Sequence, residues 1–562
     1  SSSMARAERQ RGGEKPCADG ASHASAGFPS PSRGGWTIAE GDWTGGVADD
    51  VRGADSNAGA GLDDPTRPLR GHPPLEGEGN AERRPRPAPL RKRRDNVYTY
   101  SPLEPMRDPA MTTLHAAEAL LPEGWASNVR IAVSGGRIAA VAAGVAPLPG
   151  DERHAILLPA MPDLHSHAFQ RAMAGLAETR GPGADSFWSW REVMYRFALK
   201  MTPDDVEAVA AQLYVEMLEA GFGRVGEFHY LHHDAGGGAY ADPAEMAARI
   251  AAAASATGLG LTLLPVFYAH SGFGGLPPGD GQRRFICDLD LYAKVLDGSR
   301  RIAAGLDGAN VGVAPHSLRA VTPGELAAVI DLAGGGPIHI HAAEQVREVE
   351  DCIAWSGERP VEWLVRHAGV DRRWCLIHAT HMTGSETAAL AASGAVAGLC
   401  PITEANLGDG TFPAPEFLAA GGRYGIGSDS NVLIGVGDEL RQLEYSQRLE
   451  RRARNVLARP GSSNGRALFD AALAGGARAL GAPTGRIAPG ADADLVSLDE
   501  NHPTLAGKRG DAILDAWIFA AGARVDCVWA RGKKRVEGGR HHLRDEIAAR
   551  YRRTMTGLAG RA

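Results

Sequence analysis

Hydrophobic and polar positions divide the 562-residue chain into a part without periodicity and a part with it. Residues 1 to about 110 are dense in Gly, Pro, Arg and acidic residues and sustain no apolar period of 2 or 3.6. Such a segment cannot bury a core. We therefore predict a disordered extension over 1–110 that need not be native, with Met106 and Met111 as candidate natural starts. We interpret its basic run, residues 91–94, as a solvated stretch.

Short apolar segments of β type lie on both sides of the central region. The predicted strands are Thr113–Ala119, Val129–Val133 and Arg137–Ala142 on one side and Arg524–Ala530 and Lys534–Glu537 on the other. Because they flank the centre, we expect one small β-sandwich domain built from residues 111–158 and 481–545. A C-terminal helix or tail is expected over 546–562.

Between these flanks, apolar strands alternate with helices. The eight predicted strands are Ile156–Leu164, Arg224–His229, Leu261–Phe267, Val311–Ala314, Pro337–His341, Trp374–His378, Val396–Leu399 and Tyr424–Gly427. Alternation of this kind indicates βα units around a parallel sheet. Eight units close into a TIM-like (β/α)8 barrel, which we place at 159–480, with its active site at the C-terminal ends of the strands.

Composition narrows the class of protein. A hydrophobic content of 44% is ordinary for a globular enzyme, and a net charge of -7 gives no basic excess for nucleic acid. The six cysteines form no C-x-x-C pair, so neither a disulfide scaffold nor a cysteine zinc knuckle is indicated. The uncharged run at 250–269 is interpreted as a helix end, a turn and a buried strand, not as a membrane span. We expect a cytoplasmic protein that binds a small molecule.

Metal-competent side chains occur at the predicted strand ends. His165 and His167 end the first strand two residues apart, so both imidazoles point to one face. An H-x-H pair alone is a weak signal. His341 ends strand five, Glu344 follows it by three residues, and His378 and Asp429 end strands six and eight. His339 lies a layer deeper than His341, and we assign it to packing.

Four stretches carry a resemblance to a known family: P-A-M-P-D-L-H-S-H at 159–167, H-A-A-E at 341–344, His378, and S-D at 428–429. They resemble the amidohydrolase superfamily in its mononuclear deaminase branch. The resemblance implies the metal ligands His165, His167, His341 and Asp429. Three imidazoles and a carboxylate suit zinc with one position left for water.

The number of metal ions follows from the lysines. Binuclear members of the superfamily bridge two metals through a carboxylated lysine at strand four. None of the seven lysines of this chain lies there, because the region reads V-G-V-A-P-H-S-L-R. We therefore expect one zinc ion per subunit.

The expected chemistry is hydrolytic deamination. Zinc lowers the pKa of bound water from 15.7 to about 7, which supplies a nucleophile at neutral pH. Asp429 would take the proton of that water, and His378 would orient it or stabilise the tetrahedral carbon's oxygen. Glu344 would protonate the leaving nitrogen, since ammonia leaves poorly otherwise.

Longer stretches carry a narrower resemblance. Residues 165–175, 185–196, 227–233 and 314–321 resemble deiminases of bacterial histidine degradation that convert N-formimino-L-glutamate to N-formyl-L-glutamate and ammonia. The match runs from about residue 111 to the C-terminus. It implies that Gln170, Tyr230 and His316 contact substrate. We further expect a homodimer.

Two arginines give this substrate a physical basis. The substrate has a cationic formimino group and two carboxylates, and a guanidinium fork suits carboxylate recognition. Arg191 and Arg319 follow strands one and four, in predicted loops. Alternatively, Arg191 anchors the packed aromatic run Phe187–Trp190 by a salt bridge.

Two other functions stay open at this point. A related mononuclear zinc deaminase would act on a nucleobase or nucleoside derivative, although the two arginines argue against it. A catalytically inactive barrel would act as a scaffold, although such a barrel has no need for Glu344 and His378 at the rim. A second metal site at Tyr230, His232 and His233 is disfavoured, because only Asp234, in a Gly-rich loop, accompanies them.

Overall fold

A computed structural model describes residues 111–181, 183, 185–520 and 522–561. The predicted extension over 1–110, with its basic run and the candidate start Met106, lies outside these residues. Among the helices that are described, none has the length and apolar character needed to cross a membrane.

Strands and helices alternate through most of the described chain. The strands are β1 (Thr112–Leu121), β2 (Gly124–Ser134), β3 (Arg137–Ala142), β4 (Glu152–Pro159), β5 (Met161–Ser166), β6 (Phe222–His229), β7 (Gly260–Phe267), β8 (Asn310–Val311), β9 (Ala314–Pro315), β10 (Ile338–Ala342), β11 (Trp374–His378), β12 (Val396–Leu399), β13 (Arg423–Ile426), β14 (Leu495–Leu498), β15 (Val525–Ala530), β16 (Lys533–Glu537) and β17 (Arg540–His541). The α-helices are α1 (Phe187–Ala198), α2 (Pro203–Glu219), α3 (Glu245–Thr257), α4 (Leu289–Ala304), α5 (Pro323–Leu332), α6 (Val346–Ser356), α7 (Pro360–His367), α8 (Gly384–Ser393), α9 (Pro401–Leu407), α10 (Ala414–Ala419), α11 (Val436–Arg451), α12 (Asn464–Ala479), α13 (Asp511–Phe519) and α14 (Arg544–Arg561). Short 3-10 helices lie at Ala168–Met173, Asp280–Gln282 and Pro503–Leu505.

The flanking strands from both parts of the chain pair in one eight-stranded sheet, in the order β17-β16-β15-β14-β4-β1-β2-β3. The junction is the antiparallel pair of β4 and β14, in which Leu157 faces Ser497. Apolar side chains from both sets of strands, including Leu114, Ile131 and Trp529, share one buried cluster. The pairing of the two flanks is thus observed.

Parallel strands form the barrel. One run has the order β5-β6-β7-β8, with β9 also on β7, and the other has the order β10-β11-β12-β13. Two parallel bridges close the ring. Ser166 of β5 pairs with Asp429, which follows β13, and Val313, between β8 and β9, pairs with Ile338 of β10. The fold is a TIM-barrel-like α/β fold, in which the strands' C-terminal ends meet at one rim.

Two predicted barrel strands differ from the structure. The predicted strand Ile156–Leu164 is two strands, β4 and β5, because the chain changes partners at Ala160, whose N–H donates to the carbonyl of Asp494. The predicted strand Val311–Ala314 is also divided, into β8 and β9, because Val313 turns its N–H to the carbonyl of Pro337. Apolar runs do not reveal a change of partner.

Local chemistry explains several helix boundaries. Thr202, Thr322 and Thr383 precede α2, α5 and α8, and each forms a capping box with the acidic residue three positions later. At the uncharged run, α3 ends and Gly258 takes a left-handed φ of 79° before β7 begins. The helix, turn and strand predicted there are therefore present.

Candidate active site

Four predicted ligand side chains converge at the floor of the barrel mouth. His165 lies in β5 and His167 directly follows it, His341 lies in β10, and Asp429 follows β13. Nε2 of His341 lies 3.1 Å from Nε2 of His165. Oδ1 of Asp429 lies 3.2 Å from Nε2 of His167 and 3.5 Å from Nε2 of His165. All four side chains are buried.

Hydrogen bonds fix the orientation of two imidazoles. Nδ1 of His167 donates to the carbonyl of Phe228 at 2.9 Å, and Nδ1 of His341 donates to the carbonyl of His316 at 3.0 Å. These bonds leave both Nε2 lone pairs directed at the cluster centre. Burial, aided by the neighbouring imidazoles, lowers the pKa of His341 well below its usual value, so the ring is neutral.

The donor set fits a metal ion. Nitrogen and oxygen atoms about 2.0–2.2 Å from one zinc ion lie roughly 3 to 3.5 Å from one another at the angles of a four- or five-coordinate site. Three of the separations, 3.1, 3.2 and 3.5 Å, are in that range, and all four donor atoms lie within 4.8 Å of one another. Without a cation, Nε2 of His165 can donate to Nε2 of His341, but Nδ1 of His165 is then a buried acceptor with no hydrogen-bond partner among the described residues.

Strained backbone surrounds this floor. Among the described residues, nine non-glycine residues have a left-handed φ, and five of them lie at the floor: Ala343, His378, Ala379, Asp429 and Asn431. Such conformations persist only where their surroundings hold them. Asn431 supplies part of that support, since its Nδ2 donates to the carbonyls of Asp429 at 2.9 Å and His167 at 3.0 Å. Sequence analysis missed Asn431.

A buried carboxylate joins β5 to the end of β13. Oδ1 of Asp163 accepts hydrogen bonds from the backbone N–H groups of His165 at 3.2 Å and Ser428 at 3.1 Å. Its Oδ2 accepts from the Ser428 hydroxyl at 2.6 Å. Burial raises the pKa of Asp163 to about 7, although the bonds from Ser428 oppose that shift. Asp163 thereby fixes the distance between the ligands on the two strands.

The predicted catalytic groups lie beside the ligand cluster. Nε2 of His378 lies 3.8 Å from Oε1 of Glu344 and 3.7 Å from Oδ2 of Asp429. Burial raises the pKa of Glu344 to about 7. Burial alone would lower the pKa of His378, but Glu344 and Glu404 raise it to about 10. The short distances from His378 to Glu344 and Asp429 therefore permit these three side chains to share a proton.

Glu404 is a buried carboxylate that sequence analysis missed. It lies in α9, and its Oε1 is 3.3 Å from Nδ1 of His378. The same oxygen accepts the backbone N–H of Cys400 at 2.9 Å. Glu404 thus orients the His378 ring. No local pattern in the sequence distinguishes it from a solvent-exposed helix residue.

A cleft of about 560 Å³, including its part open to solvent, rises above the floor. Its lining includes every predicted catalytic and substrate-binding residue: Gln170, Arg191, Tyr230, His316, Arg319, Glu344, His378 and Asp429. It also includes residues that sequence analysis missed, among them Tyr195, Tyr268 and Phe285. The aromatic side chains of these three pack against one another.

The two predicted arginines have no ionic partner within the described part of the chain. Nε of Arg191 and Nε of Arg319 are buried without a hydrogen-bond partner, and Arg319 is only 9% exposed. Neither guanidinium forms an ion pair within 4.0 Å with another described residue. This finding disfavours a salt-bridge anchor at Arg191. The predicted loop position of Arg191 was wrong, since it lies in α1, which begins after a Ser186–Ser189 capping box.

The other predicted substrate contacts line the cleft above the floor together with Arg191 and Arg319. We call the side chains of these five residues, Gln170, Arg191, Tyr230, His316 and Arg319, the wall. Nε2 of Gln170 donates to the Tyr230 hydroxyl at 2.8 Å. His316 is half-buried, with its ring centroid 4.6 Å from that of Tyr268. Its carbonyl also accepts the bond from His341, so His316 connects wall and floor.

Three further histidines lie outside the cluster. Nε2 of His339 bonds to the carbonyl of Ala479 at 2.8 Å, which joins β10 to the end of α12. Nε2 of His232 bonds to the carbonyl of Val266, and Nε2 of His233 to that of Ile286. Each of these imidazoles has a structural partner.

Family models cover the described chain almost completely. The amidohydrolase family model matches residues 156–535. The model described as formimidoylglutamate deiminase HutF, N-terminal domain, matches residues 111–155.

Curated relatives include two kinds of deaminase. Formimidoylglutamate deiminase of Pseudomonas aeruginosa is 56% identical over 439 residues, which are 77% of this chain and 96% of that protein. A 5-methylthioadenosine/S-adenosylhomocysteine deaminase of Natronomonas pharaonis is 30% identical over 63% of this chain and 75% of that protein.

Solved structures share the fold. An amidohydrolase from Brucella melitensis is 62% identical with a TM-score of 0.78, covering 80% of this chain and 100% of that one. An adenosine deaminase from Xanthomonas campestris with bound zinc is 23% identical with a TM-score of 0.68, covering 80% and 98%. At that identity the second likeness supports the fold alone.

Proposed function

The chain belongs to the amidohydrolase family, and from that premise we propose that it hydrolyses N-formimino-L-glutamate to N-formyl-L-glutamate and ammonia, as in histidine degradation. It is a hydrolase acting on a C–N bond of a linear amidine. The observation that carries this substrate is the pair of guanidinium groups without ionic partners, Arg191 and Arg319, in the cleft above the four-ligand floor.

The resident cofactor in this proposal is one zinc ion per subunit. His165, His167, His341 and Asp429 would hold it, because their donor atoms lie within 4.8 Å of one another and three neutral imidazoles with a carboxylate suit zinc. When bound, the ion supplies a water nucleophile at neutral pH and polarises the reacting centre.

The chain's own residues move the protons. Oδ2 of Asp429, on the His378 side, accepts the proton of the attacking water. Nε2 of His378 stabilises negative charge near the amidine carbon, since neighbouring carboxylates keep this imidazole protonated. Glu344, whose pKa burial raises to about 7, carries a proton to the departing nitrogen, and it takes up the proton that the hydroxyl of the tetrahedral carbon loses as the formyl carbonyl forms. Ammonia then leaves as a neutral molecule.

The wall selects the substrate. Each substrate carboxylate would accept charge-assisted hydrogen bonds from one guanidinium, and Gln170, Tyr230 and His316 would supply further polar contacts. An anionic ligand would also satisfy the two Nε groups that lack a partner. The cationic formimino group then lies toward Glu344 and Asp429, which are acidic.

Ammonia release measured with N-formimino-L-glutamate, guanine and cytosine tests this proposal, with zinc analysis on the same sample. We expect turnover of N-formimino-L-glutamate alone. Deamination of a nucleobase without activity on N-formimino-L-glutamate would favour the alternative of a nucleobase or nucleoside deaminase. The relative that is 30% identical carries the name of such an enzyme, 5-methylthioadenosine/S-adenosylhomocysteine deaminase. An inactive scaffold would release no ammonia from any of the three.

Several expectations about architecture and setting accompany this function. The eight-stranded sheet packs as a small β-sandwich domain over 111–158 and 481–545, beside a barrel domain over 159–480. The enzyme acts in the cytoplasm as a homodimer. It binds its small-molecule substrate and binds neither nucleic acid nor a membrane.

A further inference from the structure

A third guanidinium lies next to the two in the cleft. The indole of Trp188, in α1, has the Arg191 Cζ atom 4.5 Å from its ring centroid and the Arg319 Cζ atom 5.9 Å away. The Cζ atom of Arg347, in α6, lies 4.9 Å from the same centroid. All three distances are within the range of cation–π interactions. One indole therefore gathers cations from three separate segments.

The placement of Arg347 is unfavourable for the helix that carries it. Arg347 lies in the first turn of α6, and Gln345 caps that helix without a side-chain hydrogen bond. A cation there opposes the helix dipole. Within the described ranges Arg347 has one carboxylate partner, Asp351 at 3.7 Å, and the Arg347 side chain is 64% exposed. Exposed pairs of this kind are weak.

The three cations also repel one another. Arg191 and Arg319 have no ion pair within 4.0 Å among the described residues, although the charges of Glu348 and Glu344 act on Arg319 from a greater distance. Arg347 is exposed to solvent, whereas Arg319 is buried in the cleft. The positive charges therefore extend from the protein surface into the cleft. A field of this form attracts anions and raises their association rate.

We propose that Arg347, held on Trp188, captures dicarboxylate substrates at the mouth of the cleft before their carboxylates reach Arg191 and Arg319. This inference rests on the proposed function, because it requires a dianionic substrate. Arg347 does not line the cleft itself, so it sets specificity through encounter with substrate and takes no part in the chemistry.

The test compares Arg347→Ala, Arg347→Glu and Arg347→Lys with wild type at about 0.01 M and about 0.15 M salt, between which the Debye length falls from ~30 to ~8 Å. Arg347→Ala should lower kcat/KM for N-formimino-L-glutamate by about threefold to tenfold at low salt, and less at the higher salt. Arg347→Glu should lower it further, and Arg347→Lys should stay near wild type. In all three variants kcat should be unchanged.

Two controls separate capture from general damage. Arg300→Ala removes another exposed arginine with a nearby helical partner, Asp297, and should have no effect. N-propylformamidine carries the amidine but neither carboxylate, and its kcat/KM should not fall in any Arg347 variant. In a Trp188→Leu background the effect of Arg347→Ala should shrink, since the indole no longer holds the guanidinium.

Equal kcat/KM in wild type and Arg347→Ala at low salt would overturn the inference. So would an equal loss with both substrates, which indicates a structural role. If wild type does not turn over N-formimino-L-glutamate, the proposed function fails instead. Glutarate binding would then still test capture, with the association rate measured by stopped-flow fluorescence and the affinity by calorimetry in wild type and Arg347→Ala; an unchanged association rate and affinity would count against it.

Discussion

The floor and the wall of the cleft are held in different ways. At the floor, hydrogen bonds orient the imidazoles of His167 and His341, and Asp163 and Asn431 join the ends of β5 and β13. At the wall, the Arg191 and Arg319 guanidinium groups have no ionic partner among the residues that the structure describes. A fixed floor suits chemistry common to many substrates, whereas an unpaired cation suits one class of ligand.

This difference separates two kinds of variant. Changes at the floor should damage the reaction of every amidine, because they alter the metal site or the proton transfer. Changes at the wall should damage only substrates with carboxylates. The predictions below follow the expected size of the effect.

Replacing His341 by Ala should have the largest effect, since it removes one of three imidazole ligands. We expect loss of zinc and of all turnover. His339→Ala is the matched control on the same strand: it should keep zinc and activity but lose about 1–3 kcal/mol of stability, because the carbonyl of Ala479 loses its partner. Zinc analysis and thermal unfolding measure both. Stoichiometric zinc in His341→Ala would contradict the ligand assignment.

Glu344→Gln should have the next largest effect. The substitution keeps the shape of the side chain but cannot transfer a proton, so kcat should drop by roughly 10² to 10⁴ while zinc stays bound. Steady-state kinetics with metal analysis measure this, with N-propylformamidine as second substrate showing a similar loss. Near-normal kcat, or missing zinc, would refute the role given to Glu344.

Arg191→Met and Arg319→Met should have smaller and selective effects. Each removes charge-assisted hydrogen bonds worth about 1.5 to 3 kcal/mol, so kcat/KM for N-formimino-L-glutamate should fall by roughly one to two orders of magnitude. Zinc occupancy should be intact. The matched control is N-propylformamidine, for which both variants should resemble wild type. A similar loss with both substrates would make the arginines structural.

The floor could be predicted from the sequence because strand geometry determines it. His165 and His167 lie two apart at a strand end, and parallel strands bring their C-terminal ends to one rim, so His341 and Asp429 had to lie nearby. The break at Ala160 was not predictable, because apolar residues on both sides of it suit either sheet. Only tertiary pairing with Asp494 reveals the change.

The wall was predicted only through resemblance to the family. Arg191 was identified, but its helix was missed because the aromatic run around it obscures a helical period and the Ser186 cap is a weak signal. Glu404 and Arg347 carry no local signal at all. Their positions depend on which loops meet across the mouth, and a single sequence does not encode that in any short pattern.

The most direct test of this separation is kcat/KM for N-formimino-L-glutamate divided by kcat/KM for N-propylformamidine, measured in zinc-loaded wild type, Glu344→Gln and the double variant Arg191→Met/Arg319→Met. We expect the ratio to stay near the wild-type value in Glu344→Gln, since both substrates lose the same proton transfer. In the double variant it should fall by at least about one order of magnitude. An unchanged ratio in the double variant, or a collapsed ratio in Glu344→Gln, would contradict the division into a chemical floor and a selective wall.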